Sequence, residues 1–119
     1  MEFIIISREH KKIFKFKRIV MKILELFNVS GKVAIVTGGS RGIGEMIAAG
    51  FLANGVKVYI TARKEAALIE KAKELSKKYE CECIPVPCDL STMEGMTNFV
   101  NYIESTEEHI DFLINNAGA

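Results

Sequence analysis

Lys32-Val33-Ala34-Ile35-Val36-Thr37-Gly38-Gly39-Ser40-Arg41-Gly42-Ile43-Gly44 decides the fold. A short β-branched run stops at glycines, as a buried parallel strand does when it delivers the chain to a site. Over residues 42–54 the apolar residues Ile43, Met46, Ile47, Gly50 and Phe51 recur at helical spacing, and Gly55 supplies the C-terminal stop. Strand, glycine turn and helix therefore follow one another without a gap.

The same alternation continues downstream. Residues 56–62 read as a second, nearly continuous apolar strand, and residues 64–79 as a helix. That helix turns Leu68, Ala72, Leu75 and Tyr79 inward and keeps its lysines and glutamates in water. Residues 83–88 form a third strand whose Pro85 and Pro87 are tolerated best at a sheet edge. A third strand holds that edge when the strand order is 3-2-1-4. Ser91-Thr92-Met93-Glu94 reads as a capping box opening a helix that buries Met96, Phe99, Val100 and Ile103. Residues 110–114 make a fourth strand, which ends at Asn115-Asn116-Ala117-Gly118. The expected fold class is α/β, a doubly wound parallel sheet with right-handed crossovers, truncated after the fourth strand.

At 119 residues the chain holds one domain at most and is short for a complete two-substrate enzyme. Hydrophobic residues make up 49% and charged residues 26%, which argues against disorder. Sixteen basic residues against fifteen acidic ones leave a net charge of +1, so the balance points to a small-molecule partner rather than nucleic acid or a membrane surface. Cys81, Cys83 and Cys88 suit a reducing, cytoplasmic setting as thiols that fill a buried strand. No metal site is expected, because zinc ligation usually needs two separated ligand pairs and His10 and His109 are far off in sequence.

Residues 1–27 differ from the rest, with seven basic side chains against three acidic ones, a local charge of +4. Ile13, Phe16, Val20, Ile23 and Phe27 would line one face of a basic amphipathic helix. A mitochondrial targeting helix, a membrane-surface helix and an extension outside the fold all fit this pattern. The extension is preferred, since Met21 would open a chain with an ordinary short lead into the first strand. Residues 1–30 are thus read as a basic amphipathic extension and 31–119 as the folded unit. No apolar run reaches the ~20 residues a membrane span needs. Asn28-Val29-Ser30 matches a glycosylation acceptor, but no secretory signal accompanies it.

The glycine turn lies where backbone N–H groups and a positive helix end can hold a phosphate. A P-loop would place Lys and Ser/Thr after Gly44, but Glu45 and Met46 stand there. The common dinucleotide spacing G-x-G-x-x-G fails as well, because Ile47 occupies the third position after Gly42 and Gly44. What remains is T-G-x3-G-x-G. With Asn115-Asn116-Ala117-Gly118 after the fourth strand and Asp89 after the third, residues from about 30 to 119 resemble the short-chain dehydrogenase/reductase family. The wording of residues 33–44 is most similar to members that reduce 3-oxoacyl thioesters.

That resemblance implies a Rossmann-type sheet in which Gly38, Gly42 and Gly44 shape a pyrophosphate turn lined by Ser40, Arg41 and Ile43. It implies that Asp89 and Leu90 flank an adenine, and that Asn115, Ala117 and Gly118 border the adenosine side and support the central strand. The blander alternative is that the glycines only close a turn.

An NAD site normally ends its second strand with an acid that accepts from the ribose 2′-hydroxyl. Here Thr61-Ala62-Arg63 puts a guanidinium in that place, and Arg41 enters from the glycine turn, so NADP (NADPH) is the expected cofactor. Arg63 also reads as a solvated residue at the start of a basic helix.

The family's Tyr-x-x-x-Lys pair is not found. Tyr59, Tyr79 and Tyr102 are followed four residues later by Arg63, Cys83 and Thr106, so no catalytic residue is assigned. Two functions stay open. One is an NADP-dependent reductase or dehydrogenase of carbonyl and alcohol substrates, of which this is the cofactor-binding part and whose full-length form would be a homo-oligomer. The other is an inactive nucleotide-binding or partner-binding fragment.

Overall fold

The computed structural model describes residues 25–117. The basic stretch at residues 1–24 lies outside them, as do Gly118 and Ala119. From Val33 to Ile114 four strands and three helices alternate: β1 (Val33–Thr37), α1 (Gly42–Ala53), β2 (Lys57–Ala62), α2 (Glu65–Tyr79), β3 (Cys83–Pro87), α3 (Met93–Thr106) and β4 (Phe112–Ile114). All pairings are parallel and the strand order is β3-β2-β1-β4, with Val36 opposite Ile60 on one side and Ile114 on the other. This is the doubly wound α/β sheet expected from the sequence.

Alternation along the two central strands sends side chains to opposite faces. Ala34, Val36, Val58 and Ile60 face α1 and α2, where they join Ala48, Leu52, Leu68, Ala72 and Leu75. Val33, Ile35 and Tyr59 face the other way, onto Phe99 and Ile103 of α3. With helices on both faces, β1 is buried along its whole length, which explains its unbroken apolar sequence.

The edge strand β3 is closed in an economical way. Pro85 and Pro87 carry no N–H, while the Cys83 N–H donates to Ser76 Oγ at 3.0 Å and the Ser76 hydroxyl donates back to the Cys83 carbonyl at 3.2 Å. Edge strands without free donors are poor templates for pairing with another chain. Only Cys83 of the three cysteines is a buried strand residue; Cys81 and Cys88 lie just outside β3 and are half-buried, which corrects the expectation for those two. Burial pushes the Cys83 thiol up to about 12, with Cys81 adding to the effect, so it packs as a neutral group.

Two helix faces differ from expectation. On α1 the buried residues are Gly44, Ala48 and Leu52, whereas Ile43 and Met46 are 69% and 73% exposed. The helix lies close on the sheet, and small residues permit that approach. On α3, Phe99 and Ile103 are buried but Met96 and Val100 are largely exposed. The cap of α3 also moves by one residue: Thr92 rather than Ser91 accepts the Gly95 N–H, because Ser91 is engaged with Asp89.

At the N-terminal end of the sheet, Glu107 collects two donors. Lys57 Nζ and Tyr59 OH each lie 2.6 Å from Glu107 Oε1. The ammonium first, and the Tyr59 hydroxyl second, hold the Glu107 carboxyl below its ordinary 4.5. A carboxyl with a depressed folded value contributes stability above its unfolded value, and that stability disappears as pH falls through the folded value. Glu107→Gln is therefore expected to cost about 1–3 kcal/mol at neutral pH, the worth of hydrogen bonds to a charged group. In urea melts at a series of pH values, the gap from the native chain should close below 4.5. A gap independent of pH would refute the charge-based explanation.

Candidate nucleotide-binding site

The C-terminal ends of β1, β2 and β4 meet at one rim of the sheet, and the turn from Gly38 to Arg41 crosses it. Thr37, only 4% exposed, fastens this rim. Its Oγ1 accepts the Asn116 and Ala117 N–H groups, both at 2.9 Å. Its single proton is directed at the Ile114 carbonyl (3.3 Å) and Asn115 Oδ1 (3.4 Å). The exit of β4 is thereby tied to the exit of β1. On the other side the Gly38 N–H donates to the Thr61 carbonyl at 2.9 Å, extending the β1–β2 ladder into the turn.

The turn depends on its glycines for two different reasons. Gly38 adopts φ +66°, in the left-handed region where a side chain is strained. Gly44 sits in the first turn of α1, where a Cβ would run into the Gly38 carbonyl oxygen and lie 2.6 Å from Asn116 Nδ2. The Asn116 amide itself donates to that carbonyl at 3.4 Å. Gly39 is equally crowded, since its Cβ would come within 2.5 Å of Ile60 Cγ2.

Helix α1 begins at an extended Arg41 with no side chain capping its first N–H groups. Helix α2 likewise starts without a side-chain cap, whereas α3 uses Thr92. What distinguishes α1 is its setting, since it starts just after β1 at the rim where Arg63 follows the paired strand β2. Arg41 and Arg63 are both exposed, and neither forms an ion pair among the described residues. An open helix start and exposed guanidiniums on one rim are groups that can hold a phosphate. Two shallow grooves of about 410 and 510 Å³ lie beside β3, around Ser76 and Cys83, away from the glycine turn.

Each residue expected at the site can be placed, apart from Gly118, which falls outside the described residues. Gly38, Ser40, Arg41, Gly42, Ile43 and Gly44 form the turn and the helix start, and Arg63 follows β2 directly. Asp89 follows β3, and its Oδ1 accepts from the Ser91 hydroxyl at 2.6 Å and the Ser91 N–H at 3.0 Å. The Ser91 hydroxyl, then the Ser91 N–H, and to a smaller extent nearby Arg63 hold the Asp89 carboxyl below its ordinary 3.8. Leu90 is half-buried against the α3 side of the core. Asn115 and Ala117 sit beside the turn through Thr37.

Three participants were not singled out from the sequence, namely Thr37, Gly39 and Asn116. All three lie within the quoted motifs, but their importance is in cross-strand contacts that spacing does not display. Among the described residues no three His, Cys, Asp or Glu side chains converge as a metal site would require, and no helix is long and apolar enough to cross a membrane.

Comparison with known proteins agrees with this geometry. The chain is 42% identical over 92 residues to the rhamnolipids biosynthesis 3-oxoacyl-[acyl-carrier-protein] reductase of Pseudomonas aeruginosa, covering 77% of this chain and 35% of that protein. It is 41% identical over 91 residues to a fatty acyl-CoA reductase of Acinetobacter baylyi, covering 76% and 30%. Among solved structures, the Pseudomonas aeruginosa RhlG/NADP active-site complex superposes with a TM-score of 0.74 at 42% identity, over 78% of this chain and 37% of that one. The L-sorbose reductase of Gluconobacter frateurii, complexed with NADPH and L-sorbose, gives 0.74 at 39% identity, over 77% and 35%. The chain thus spans about a third of the length of these relatives. The short chain dehydrogenase profile matches residues 32–119, so the chain belongs to the short chain dehydrogenase family of oxidoreductases.

Proposed function

We propose that residues 31–119 form the NADP-binding part of an oxidoreductase that passes hydride between nicotinamide and a carbonyl or alcohol substrate, with residues 1–30 as an extension outside that unit. The observation that supports this reading is the uncapped start of α1 at the exposed Arg41, with the exposed Arg63 following the neighbouring strand β2 and neither guanidinium in an ion pair among the described residues. NADP, when bound, supplies or accepts the hydride. The chain's own residues bind and orient it. Gly38, Gly42 and Gly44 let the backbone approach the pyrophosphate, Ser40, Arg41 and Ile43 line it, and the two guanidiniums grip the 2′-phosphate that separates NADP from NAD. Asp89, whose carboxyl Ser91 holds below its ordinary value, flanks the adenine with Leu90, while Asn115, Ala117 and Gly118 border the adenosine side. The 3-oxoacyl reductase relative makes an oxoacyl thioester the substrate class to try first.

Residues 1–119 contain no Tyr-x-x-x-Lys, so this polypeptide by itself is expected to bind cofactor without turning substrate over. Its cysteines, as thiols, fit a cytoplasmic setting. Arg63→Ala is expected to weaken NADPH binding by about 1.5–3 kcal/mol, the usual worth of a hydrogen bond to a charged group, and to leave NADH binding nearly unchanged. Fluorescence titration of both cofactors checks this, and equal losses for the two would sink the role given to Arg63.

A further inference from the structure

Glu45 raises a difficulty for the site just described. It stands in the first turn of α1, where its N–H donates to the carbonyl of the N-cap residue Arg41 at 3.3 Å, so the two opposite charges spring from neighbouring backbone. Paired with Glu45, Arg41 would lose the charge it is assigned to offer a phosphate. The structure shows another arrangement. Lys71 reaches across from α2 and places its Nζ 2.9 Å from Glu45 Oε1, while Glu74, one turn further along α2, steadies the same ammonium at 3.0 Å. The Lys71 and Glu45 side chains are only 22% and 32% exposed, so the contact is partly shielded from water. Arg41 takes no ion-pair partner among the described residues.

The geometry points to Lys71 as a positioning residue for cofactor selectivity: by holding the Glu45 carboxylate it keeps Arg41 available to the 2′-phosphate of NADP. This rests on the cofactor reading above. Lys71 touches no cofactor in this scheme. It acts by occupying Glu45 and by cancelling a negative charge close to the place where phosphates bind.

The opposing view is that the Glu45–Lys71 pair merely ties α1 to α2, and the two views predict opposite signs for one substitution. Either Lys71→Ala or Glu45→Gln breaks the tie, but only the first releases a carboxylate toward Arg41. Titration of the 119-residue chain with NADP⁺ and with NAD⁺, alongside circular dichroism of each variant, separates them. Lys71→Ala should raise the NADP⁺ dissociation constant about three- to fivefold, as befits one partly exposed ion pair, and change NAD⁺ binding less. Glu45→Gln should leave NADP⁺ binding as tight as in the native chain or tighter, and the double variant should recover native affinity. If Glu45→Gln weakens NADP⁺ binding, or the double variant stays weak, the proposal is overturned. Should Lys71→Ala fail to fold, Glu45→Gln decides the matter alone, because it retains Lys71. A native chain that prefers NADP⁺ and is indifferent to Lys71→Ala overturns this inference only. A native chain that holds both cofactors alike overturns the cofactor reading and this inference together.

Discussion

Gly44→Ala is expected to reduce NADP⁺ binding by on the order of 100-fold, equivalent to about 2.7 kcal/mol, and to destabilise the fold by about 1–3 kcal/mol. The added methyl would occupy the place of the Gly38 carbonyl oxygen and press on Asn116 Nδ2 at 2.6 Å. One neighbour is backbone and the other is engaged with that same carbonyl, so neither can step aside without opening the turn. Opening it would move the start of α1 away from the rim and take the free N–H groups out of register with Arg41. Gly50 supplies the control, since a Cβ there meets nothing within 4 Å. Gly50→Ala, in a helix interior, should leave binding unchanged and stabilise the chain by about 0.4–1 kcal/mol. Titration and thermal melting of the two variants would test the contrast. Native-like binding by the Gly44→Ala protein would show that the turn does not need its close approach.

The second large effect concerns the helix that carries the site. Leu52 is 1% exposed and packs between α1 and the sheet, so Leu52→Ala should cost about 2–5 kcal/mol through lost burial and the cavity left behind. Met46, six residues earlier on the same helix, is 73% exposed, and Met46→Ala should stay within about 0.5 kcal/mol. Urea denaturation gives both values. A costly Met46→Ala paired with a mild Leu52→Ala would mean that α1 turns the face expected from its periodicity toward the sheet.

That contrast shows how much could be read from residues alone. The strands were legible because parallel strands between two helical layers are apolar throughout, and the prolines of β3 marked an edge. Helix α2 was legible because charge covers its outer face and leaves Leu68, Ala72 and Leu75 as the one apolar stripe. Helix α1 lacks such a polar face. Ile43, Met46, Ile47, Ala48, Phe51 and Leu52 surround it with candidates, and close approach to the sheet buries Gly44 and Ala48 together with Leu52. The capping box at Ser91 marked the start of α3 to within one residue, and the cap falls on Thr92 where Ser91 is engaged with Asp89.

The candidate site was legible as a set of motifs on the right elements. Its fastening was not. Thr37 joins β1 to a segment 78 to 80 positions away, and Asn116 reaches back to Gly38 over a similar distance. Nothing in local spacing reports such contacts. The Lys71–Glu45 pair, which bridges two helices, was hidden in the same way among charges that looked merely solvated.

The assignment of this rim to NADP is tested most directly by calorimetric titration of the native 119-residue chain with NADP⁺ and with NAD⁺ under identical salt. Two exposed guanidiniums that take part in no ion pair among the described residues predict NADP⁺ binding at least about tenfold tighter, a difference of ~1.4 kcal/mol, with an advantage that shrinks as salt is raised. Equal affinities, or tighter binding of NAD⁺, would contradict it.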